Sequence, residues 1–288
     1  MPQDKFTALW VSHSSISDYL HCKRSYYLKN IYRDPKTRHK VKLMSPPLAL
    51  GQAVHEVIES LSVLPVADRF KELLTDKFEK AWENVSGKKG GFPSDDVESK
   101  YKARGRDMIS RVVKNPGPVE RKAVKIKEDL PYYWISEEDN IILCGKIDWL
   151  EYIPETDSVN ILDFKTSKYD EDGDSLQLPI YYLLVKNCQH RLVTKASYWY
   201  LDRNDEPTEV QLPDEQESTE RILAVAREIK LAKQLNRFVC ETNGCQYCNP
   251  MEAILKSEAE LIGQDNYNAD VYILKDNSVA LEDKSEIL

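Results

Sequence analysis

The sequence predicts an α/β fold in which a mixed central β-sheet is flanked by helices and carries a helical insertion. Three observations predict it. Runs rich in β-branched and apolar residues, such as Ile141 to Glu151 and Val159 to Phe164, read as strands. Stretches with apolar residues three and four apart read as helices, and they stand both before and after those strands. The order lacks the regular alternation of a doubly wound sheet, so the sheet is mixed. At 288 residues, 41% hydrophobic and 31% charged, the chain is long enough for one large core with an inserted subdomain.

A first helix begins near Ser14. Leu48 to Leu61 aligns Val54, Val57, Ile58 and Leu61 on one face, the stripe of an amphipathic helix. Helices follow near 66–84 and 96–114, separated by a Gly-rich break at Gly87 to Gly91 that reads as a mobile loop. Strands are expected near 119–129, 131–136, 141–151 and 159–166. Turn chemistry at Pro154 to Ser158 joins the last two as an antiparallel hairpin. The next helix, near 175–187, tolerates Pro179 only in its first turn. Strands near 194–201 and 207–212 and a helix near 215–236 lead to a cysteine-rich loop. Residues 1–250 thus read as the folded body, with the helical insertion at about 64–118. Residues 251–288 read as an acidic tail in which Val271 to Leu274 forms at most one strand.

Side-chain alternation singles out one place in this scheme. Asp163 and Lys165 share one face of their strand, while Leu162, Phe164 and Thr166 take the other. Asp148 stands on the facing strand. Two carboxylates so placed suit Mg²⁺ or Mn²⁺, hard ions that prefer oxygen ligands, and a nearby lysine suits a phosphate or an attacking water. By itself the Asp-x-Lys pattern is more often a solvated cross-strand salt bridge than a site. His55 lies beside the apolar stripe of its helix, and Gln177 and Tyr181, four apart, share a helical face.

Taken in order, Gly51-x-x-x-His55, Gly145-x-x-Asp148, Asp163-x-Lys165 and Gln177-x-x-x-Tyr181 resemble the PD-(D/E)xK nuclease superfamily, in its RecB-like exonuclease branch. The resemblance spans Ser14 to Cys248. Ile147 stands where the superfamily name expects proline, although the RecB-like branch often writes this motif as Gly-x-x-Asp. The resemblance implies a restriction-endonuclease-like core and hydrolysis of DNA phosphodiester bonds with Mg²⁺ or Mn²⁺. His55, Asp148, Asp163 and the Phe164 carbonyl would be the metal ligands, and Asp148, Asp163 and Lys165 the catalytic set. Gln177 and Tyr181 would support the site or the DNA strand. Glu56 is a weaker acidic candidate, about 100° around the helix from His55.

Three of the six cysteines, Cys240, Cys245 and Cys248, crowd one loop, and Cys22 stands far upstream. By resemblance to the AddB nuclease domain and to CRISPR-associated RecB-like exonucleases, these four ligate a 4Fe-4S iron-sulfur cluster, with structural zinc the alternative. The spacing departs from those proteins, because Cys240 precedes the Cys-x2-Cys pair and no cysteine follows it. Such a site would close the N- and C-terminal parts of the domain around the core. Cys144 and Cys188 read as buried thiols.

The formal net charge of −8 is concentrated at the C-terminal end. Residues 251–288 carry nine acidic and three basic residues, leaving the rest near neutrality. Lys23 to Lys42 holds eight basic residues against Asp34 alone, with Tyr26, Tyr27 and Tyr32 interleaved. That pattern, beginning at Lys23 and Arg24, suits a groove that tracks the phosphates of DNA and stacks its bases, although for any single residue a solvated helix face with core tyrosines is the better reading. There is no Gly-x4-Gly-Lys-Ser/Thr loop, so unwinding would fall to a separate helicase, within DNA repair, mobile-element or CRISPR-related processing. The alternative is a non-cutting or partner-activated DNA-binding subunit of a helicase-nuclease complex. Without a signal-peptide pattern or membrane-length apolar run, the expected location is cytoplasmic, away from membranes.

Overall fold

In the computed structural model, which describes residues 4–275, the chain begins with β1 (Leu9–Val11), α1 (His13–His21) and α2 (Lys23–Tyr26), the last running into a π-helical turn at Tyr27–Ile31. Next come β2 (Val41–Leu43), α3 (Pro46–Ser60), α4 (Leu74–Glu83) and α5 (Asp95–Lys114). They are followed by β3 (Tyr132–Ser136), β4 (Ile141–Cys144), β5 (Trp149–Ile153), β6 (Ser158–Lys165), α6 (Gln177–Cys188), β7 (Leu192–Tyr200), β8 (Thr208–Val210) and α7 (Glu215–Gln234). α8 (Asn249–Leu255), β9 (Ala259–Gln264) and β10 (Asp270–Leu274) complete the described fold. Local chemistry sets the helix starts. Ser12 and Ser15 form a reciprocal capping box at α1, Ser94 and Asp214 cap α5 and α7, and Pro46 opens α3 where no hydrogen-bond donor is needed.

The principal sheet has the order β5-β6-β7-β8 and is mixed: β5 runs antiparallel to β6, β6 parallel to β7, and β7 antiparallel to β8. β6 is buried on both faces, with Val159, Ile161, Leu162 and Phe164 divided between them and Ser158, Asn160 and Asp163 buried among them. Val159 and Ile161 pack in a cluster with α1, α6 and α7, whereas Leu162 and Phe164 join Val54, Ile58, Phe78 and Met108 beneath α3, α4 and α5. Asp163 and Lys165 are therefore carried on the α6 side. Two three-stranded sheets, β1-β4-β3 and β2-β10-β9, stand beside it. This is an α/β architecture with mixed sheets flanked by helices, consistent with a restriction-endonuclease-like fold.

Several elements differ from the sequence expectation. The single strand expected over 141–151 is two, because β4 pairs with β1 and β3 while β5 pairs with β6. The chain changes sheets across Gly145 to Asp148, where Asp148 uses its side chain to accept from the Phe164 N–H at 3.1 Å. The strand expected at 119–129 is reduced to one bridge between Ala123 and Glu151. The reason is upstream: Gly117–Glu120 forms a 3-10 turn, and the buried Arg69 guanidinium donates to the Val119 and Arg121 carbonyls at 2.5 and 2.6 Å. The same inward Arg69 interrupts the helix expected over 66–84, leaving a short 3-10 turn at Val66–Asp68 before α4. Gly87 to Gly91 is not an open loop. It is a 3-10 turn held by Glu98 on the Gly87 N–H at 2.8 Å and by a Lys88–Glu260 ion pair.

The largest difference is at the acidic end. Residues 251–275 are not a tail: α8, β9 and β10 pack onto the body, and β10 runs parallel to β2 and antiparallel to β9. Apolar Met251, Ala259 and Val271 are buried, and their burial outweighs the acidic composition. The remaining tail, 276–288, lies outside the described residues. Asp270 anchors this sheet. It is 1% exposed, accepts from Thr37 Oγ1 at 2.6 Å and Gln264 Nε2 at 2.9 Å, and faces His39 Nδ1 at 2.9 Å. Burial alone would raise its carboxyl pKa, yet these partners pull it below the ordinary value.

A depressed pKa stabilises the fold above the unfolded-state value of about 3.9 and ceases to do so as pH falls through the folded value. Asp270→Ala is thus expected to cost about 2 kcal/mol at pH 7, since it strands three polar partners. Urea denaturation at pH 7 and pH 3 checks this: the penalty shrinks at pH 3, and an equal penalty at both contradicts the charge argument.

Candidate functional site

Asp148, Asp163 and Lys165 converge at one end of the β5–β6 pair. Trp149 lies opposite Leu162, so the antiparallel register brings Asp148 beside Asp163 one position farther on. α3 lies against the start of β5 and delivers His55, whose Nδ1 is 3.5 Å from Asp148 Oδ2. From the other side, α6 delivers Gln177, which donates from Nε2 to Asp163 Oδ1 at 3.0 Å. Its carbonyl accepts from the Lys165 ammonium, and its Nε2 lies 3.2 Å from the Tyr181 hydroxyl. Gln177 therefore fixes the carboxylate and the lysine together. His55, Asp148, Asp163, Lys165, Gln177 and Tyr181 line a cavity of about 340 Å³ together with Phe164, Thr166, Ser167 and Glu171.

The electrostatics are those of acids held out of water. Burial first, and then the neighbouring Asp148 charge, push the Asp163 carboxyl up to about 7. Burial likewise raises Asp148, opposed by His55. On Lys165 burial acts downward, but Asp163 and Glu171 outweigh it and keep the ammonium protonated. The ammonium lies 3.0 Å from Asp163 Oδ2 and 2.6 Å from Glu171 Oε2. Asp163 Oδ2, fully enclosed, nonetheless receives no aligned hydrogen bond. An enclosed anionic oxygen with unused lone pairs beside a second carboxylate and an imidazole is a donor set that fits a divalent cation.

Two acidic residues in the site were not read from the sequence. Glu59, rather than Glu56, shares the inward side of α3 with His55; its Oε1 is 3.5 Å from His55 Nδ1, and its other oxygen pairs with Lys146. Glu56 is exposed. The signal was available, because residues four apart on a helix are neighbours. Glu171 comes from the loop before α6, and only the fold brings it to Lys165.

The four cysteines singled out also meet. The sulfurs of Cys22, Cys240, Cys245 and Cys248 all lie within 4.8 Å of one another, and those of Cys245 and Cys248 are 3.6 Å apart. All six cysteines are free thiols. Burial pushes Cys248 up to about 12, while the Thr242 hydroxyl and the Gly244 and Thr242 N–H groups hold Cys240 down to about 6. Cys144 is buried and Cys188 partly so, both apart from this group.

The basic stretch is differently employed. Arg24 pairs with Glu252 at 2.5 Å, joining α2 to α8, and Lys23 faces Glu241 at 3.9 Å beside the cysteine loop. Lys29 pairs with Asp18, and Arg33 donates to three backbone carbonyls. Tyr26 is a core residue, 3% exposed and packed edge-on to Tyr19 and against Phe238, so it offers no free face for a base.

Among the described residues no helix is long and apolar enough to cross a membrane. A search of curated protein sequences gives no match. The family model described as the PD-(D/E)XK nuclease superfamily matches residues 10–252, which include every side chain of the site above. That match covers most of the chain and makes it a metal-dependent nuclease in general terms. Its paired aspartates, the lysine two residues after the second, and the fold that assembles them place this chain in the PD-(D/E)XK nuclease superfamily.

Proposed function

We propose that this protein is a RecB-like deoxyribonuclease that uses Mg²⁺ or Mn²⁺ to cleave DNA, as an exonuclease on single-stranded or frayed ends. The observation that carries this reading is the convergence of the Asp148 and Asp163 carboxylates and the Lys165 ammonium, with Lys165 Nζ 3.0 Å from the enclosed Oδ2 of Asp163. His55, Asp148, Asp163 and the Phe164 carbonyl would hold the cation. When bound, the cation lowers the pKa of a coordinated water and offsets charge on the phosphate. Lys165, kept protonated by its two carboxylate partners, orients the incoming phosphate or water. Gln177 sets the position of both Lys165 and Asp163, and Tyr181 acts through Gln177.

Recession of the acids supports action on loose ends. The Asp148 and Asp163 side chains are 10% and 3% exposed, at the base of a cavity that a single strand enters more readily than an intact duplex. A separate helicase or repair partner would supply the unwound strand.

Cleavage of end-labelled single- and double-stranded DNA with Mg²⁺, Mn²⁺ or chelator, comparing wild type with Asp163→Ala, tests the reading. Cation-dependent shortening from an end by wild type alone is expected. Equal cutting by Asp163→Ala defeats the site assignment. Absence of cutting by wild type with either ion leaves a DNA-binding subunit in its place.

The cysteine cluster is read as a structural metal site. Sulfurs around one tetrahedral zinc with bonds of about 2.3 Å stand about 3.8 Å apart. A 4Fe-4S cluster places each thiolate on a different iron and so spreads them farther. The close spacing of the four sulfurs favours zinc over the iron-sulfur cluster to which the resemblance pointed.

A further inference from the structure

We propose that Glu171 is a positioning residue, which holds the Lys165 ammonium in place once a cation has taken up Asp163. This inference rests on the cation-dependent reading above and gives a role to a residue outside the proposed metal ligands. The Lys165 ammonium lies 3.0 Å from Asp163 Oδ2 and 2.6 Å from Glu171 Oε2, and it also donates to the neutral Gln177 carbonyl. A cation bound at Asp163 draws on that carboxylate's lone pairs and repels the ammonium beside it. The Asp163 contact therefore weakens in the loaded site, where the lysine is needed. Glu171 is the anionic partner that remains.

Its placement does not depend on Asp163. Tyr200 lies opposite Lys165 in the parallel pairing of β6 with β7, and the Glu171 N–H donates to the Tyr200 hydroxyl at 3.0 Å. Arginines tie down the loop on either side of Glu171. Arg203, just after β7, donates to the Lys168 carbonyl and pairs with Asp170, and Arg221 of α7 donates to the Asp174 carbonyl at 3.1 Å. Within the loop, the Asp174 and Ser175 N–H groups both donate to Asp172, at 3.0 and 2.9 Å. Glu171 is thus presented by a strap whose anchors are β7 and α7, and none of these anchors is a proposed cation ligand.

The charge on Glu171 persists in this setting. Burial acts upward on its carboxyl, but Lys165 and the Ser175 hydroxyl outweigh it and hold the group below its ordinary value. Lys165 itself is 13% exposed, so little water is at hand to replace a lost partner. Without the Glu171 charge, the loaded site would leave the ammonium facing a cation with only the Gln177 carbonyl and the Tyr198 ring, 5.2 Å away, to hold it.

The test compares wild type with Glu171→Gln, which keeps the side-chain shape and removes the charge, and with Glu171→Asp, which keeps the charge. The first measurement needs no DNA: NMR of the lysine ammonium groups, with the Lys165 signal identified by its absence in Lys165→Met. Wild type is expected to keep that signal when Mg²⁺ is added, and Glu171→Gln to show it only without Mg²⁺. In DNA cleavage with Mn²⁺, Glu171→Gln is expected to lower kcat about 10–100-fold, the usual cost of losing a group that orients another, with KM for DNA and Mn²⁺ affinity near wild type. Glu171→Asp is expected to recover part of the loss. A Lys165 signal that responds to Mg²⁺ alike in wild type and Glu171→Gln overturns the proposal. So does a loss of Mn²⁺ affinity of about tenfold or more in Glu171→Gln, which would make Glu171 a ligand. Tighter DNA binding with faster cleavage would make the carboxylate a plug displaced by the substrate phosphate, and overturns it as well. Thermal unfolding verifies that each variant is folded; should Glu171→Gln not fold, Tyr200→Phe, which frees the Glu171 N–H while keeping the ring, must show the same fall in kcat to a smaller extent. If the Lys165 signal behaves as expected yet wild type cuts no DNA, the positioning role stands and the nuclease reading falls.

Discussion

Lys165→Met is expected to slow Mn²⁺-supported DNA cleavage by about 10²–10³-fold, the usual loss when one preorganised charge is removed from a reacting centre. The lysine is unusually well placed for that role. Its side chain is 13% exposed, its ammonium is shared between Asp163 and Glu171, and the Gln177 carbonyl fixes it laterally. Methionine retains the length and the apolar stem, so packing beside Tyr198, whose ring centroid is 5.2 Å from the ammonium, persists. Mn²⁺ affinity is expected to hold or rise, because the cation loses a competing positive charge beside Asp163. That split separates Lys165 from the metal ligands, whose loss lowers affinity and turnover together. Single-turnover cleavage at saturating Mn²⁺, with affinity measured in parallel, is the check. A loss of under tenfold, or one that extra Mn²⁺ restores, would show that Lys165 acts only as a counterion.

Cys22→Ser is expected to release the structural metal and lower the melting temperature by about 10 °C. Metal sites of this type contribute on the order of 10–16 kcal/mol in peptides that fold only on binding. Here most of the core exists without it, so a loss of about 4 kcal/mol is the reasonable share, and a chain of this size loses roughly 2–4 °C per kcal/mol. The fold explains the dependence. Cys22 lies between α1 and α2, and the other three thiols lie on the loop entering α8. Without the metal, that junction keeps the Arg24–Glu252 ion pair, the Ser25 hydroxyl on the Tyr247 carbonyl at 3.0 Å, and the His21–Tyr247 ring stack. Metal analysis of anaerobically purified wild type is expected to give about one zinc per chain; about four irons and a brown colour would identify the cluster instead. A melting temperature within about 2 °C of wild type would remove the structural role.

The legible part of the site is the part built from local geometry. Strand parity puts Asp163 and Lys165 on one side from sequence alone, and the short turn after Ile153 brings Asp148 opposite them. His55, Gln177 and Tyr181 are read by motif and helical spacing, and they do assemble there. Glu59 was as accessible to that reasoning as His55 but was passed over for Glu56, which lies next to the histidine in sequence and points elsewhere on the helix. Glu171 left no signal, because its loop holds several acidic residues without periodicity, and it is the fold that lets its backbone N–H donate to the Tyr200 hydroxyl at 3.0 Å and its carboxylate meet Lys165.

The elements misread share a cause. Ile141 to Leu150 keeps apolar residues on both sides of Gly145, Lys146 and Asp148 and alternates through them as one half-buried strand would, so the pattern does not mark the change of sheet at Gly145 to Asp148. α8 and β9 were obscured by acidic neighbours, whereas Val271 to Leu274 reads as a strand and is β10; the packing of this segment comes from β2 and from Asp270 contacts with Thr37 and His39, all distant in sequence. The tyrosines of the basic stretch read either as faces for bases or as core residues, and the fold makes Tyr26 core. Periodicity ranks residues by burial within one element, and it is silent on which other element covers them.

By itself, therefore, the sequence determined the α/β class, the strand that carries Asp163 and Lys165, and the kinds of donor available for a cation and for a cysteine-bound metal. Those follow from alternation, helical spacing and side-chain chemistry, which act over a few residues. Tertiary structure alone decided that α3 lies against the start of β5, so that His55 and Glu59 reach Asp148, and that Cys22 meets the loop before α8. Those distances depend on burial of the two apolar clusters either side of β6, and burial joins segments whose local patterns carry no record of one another.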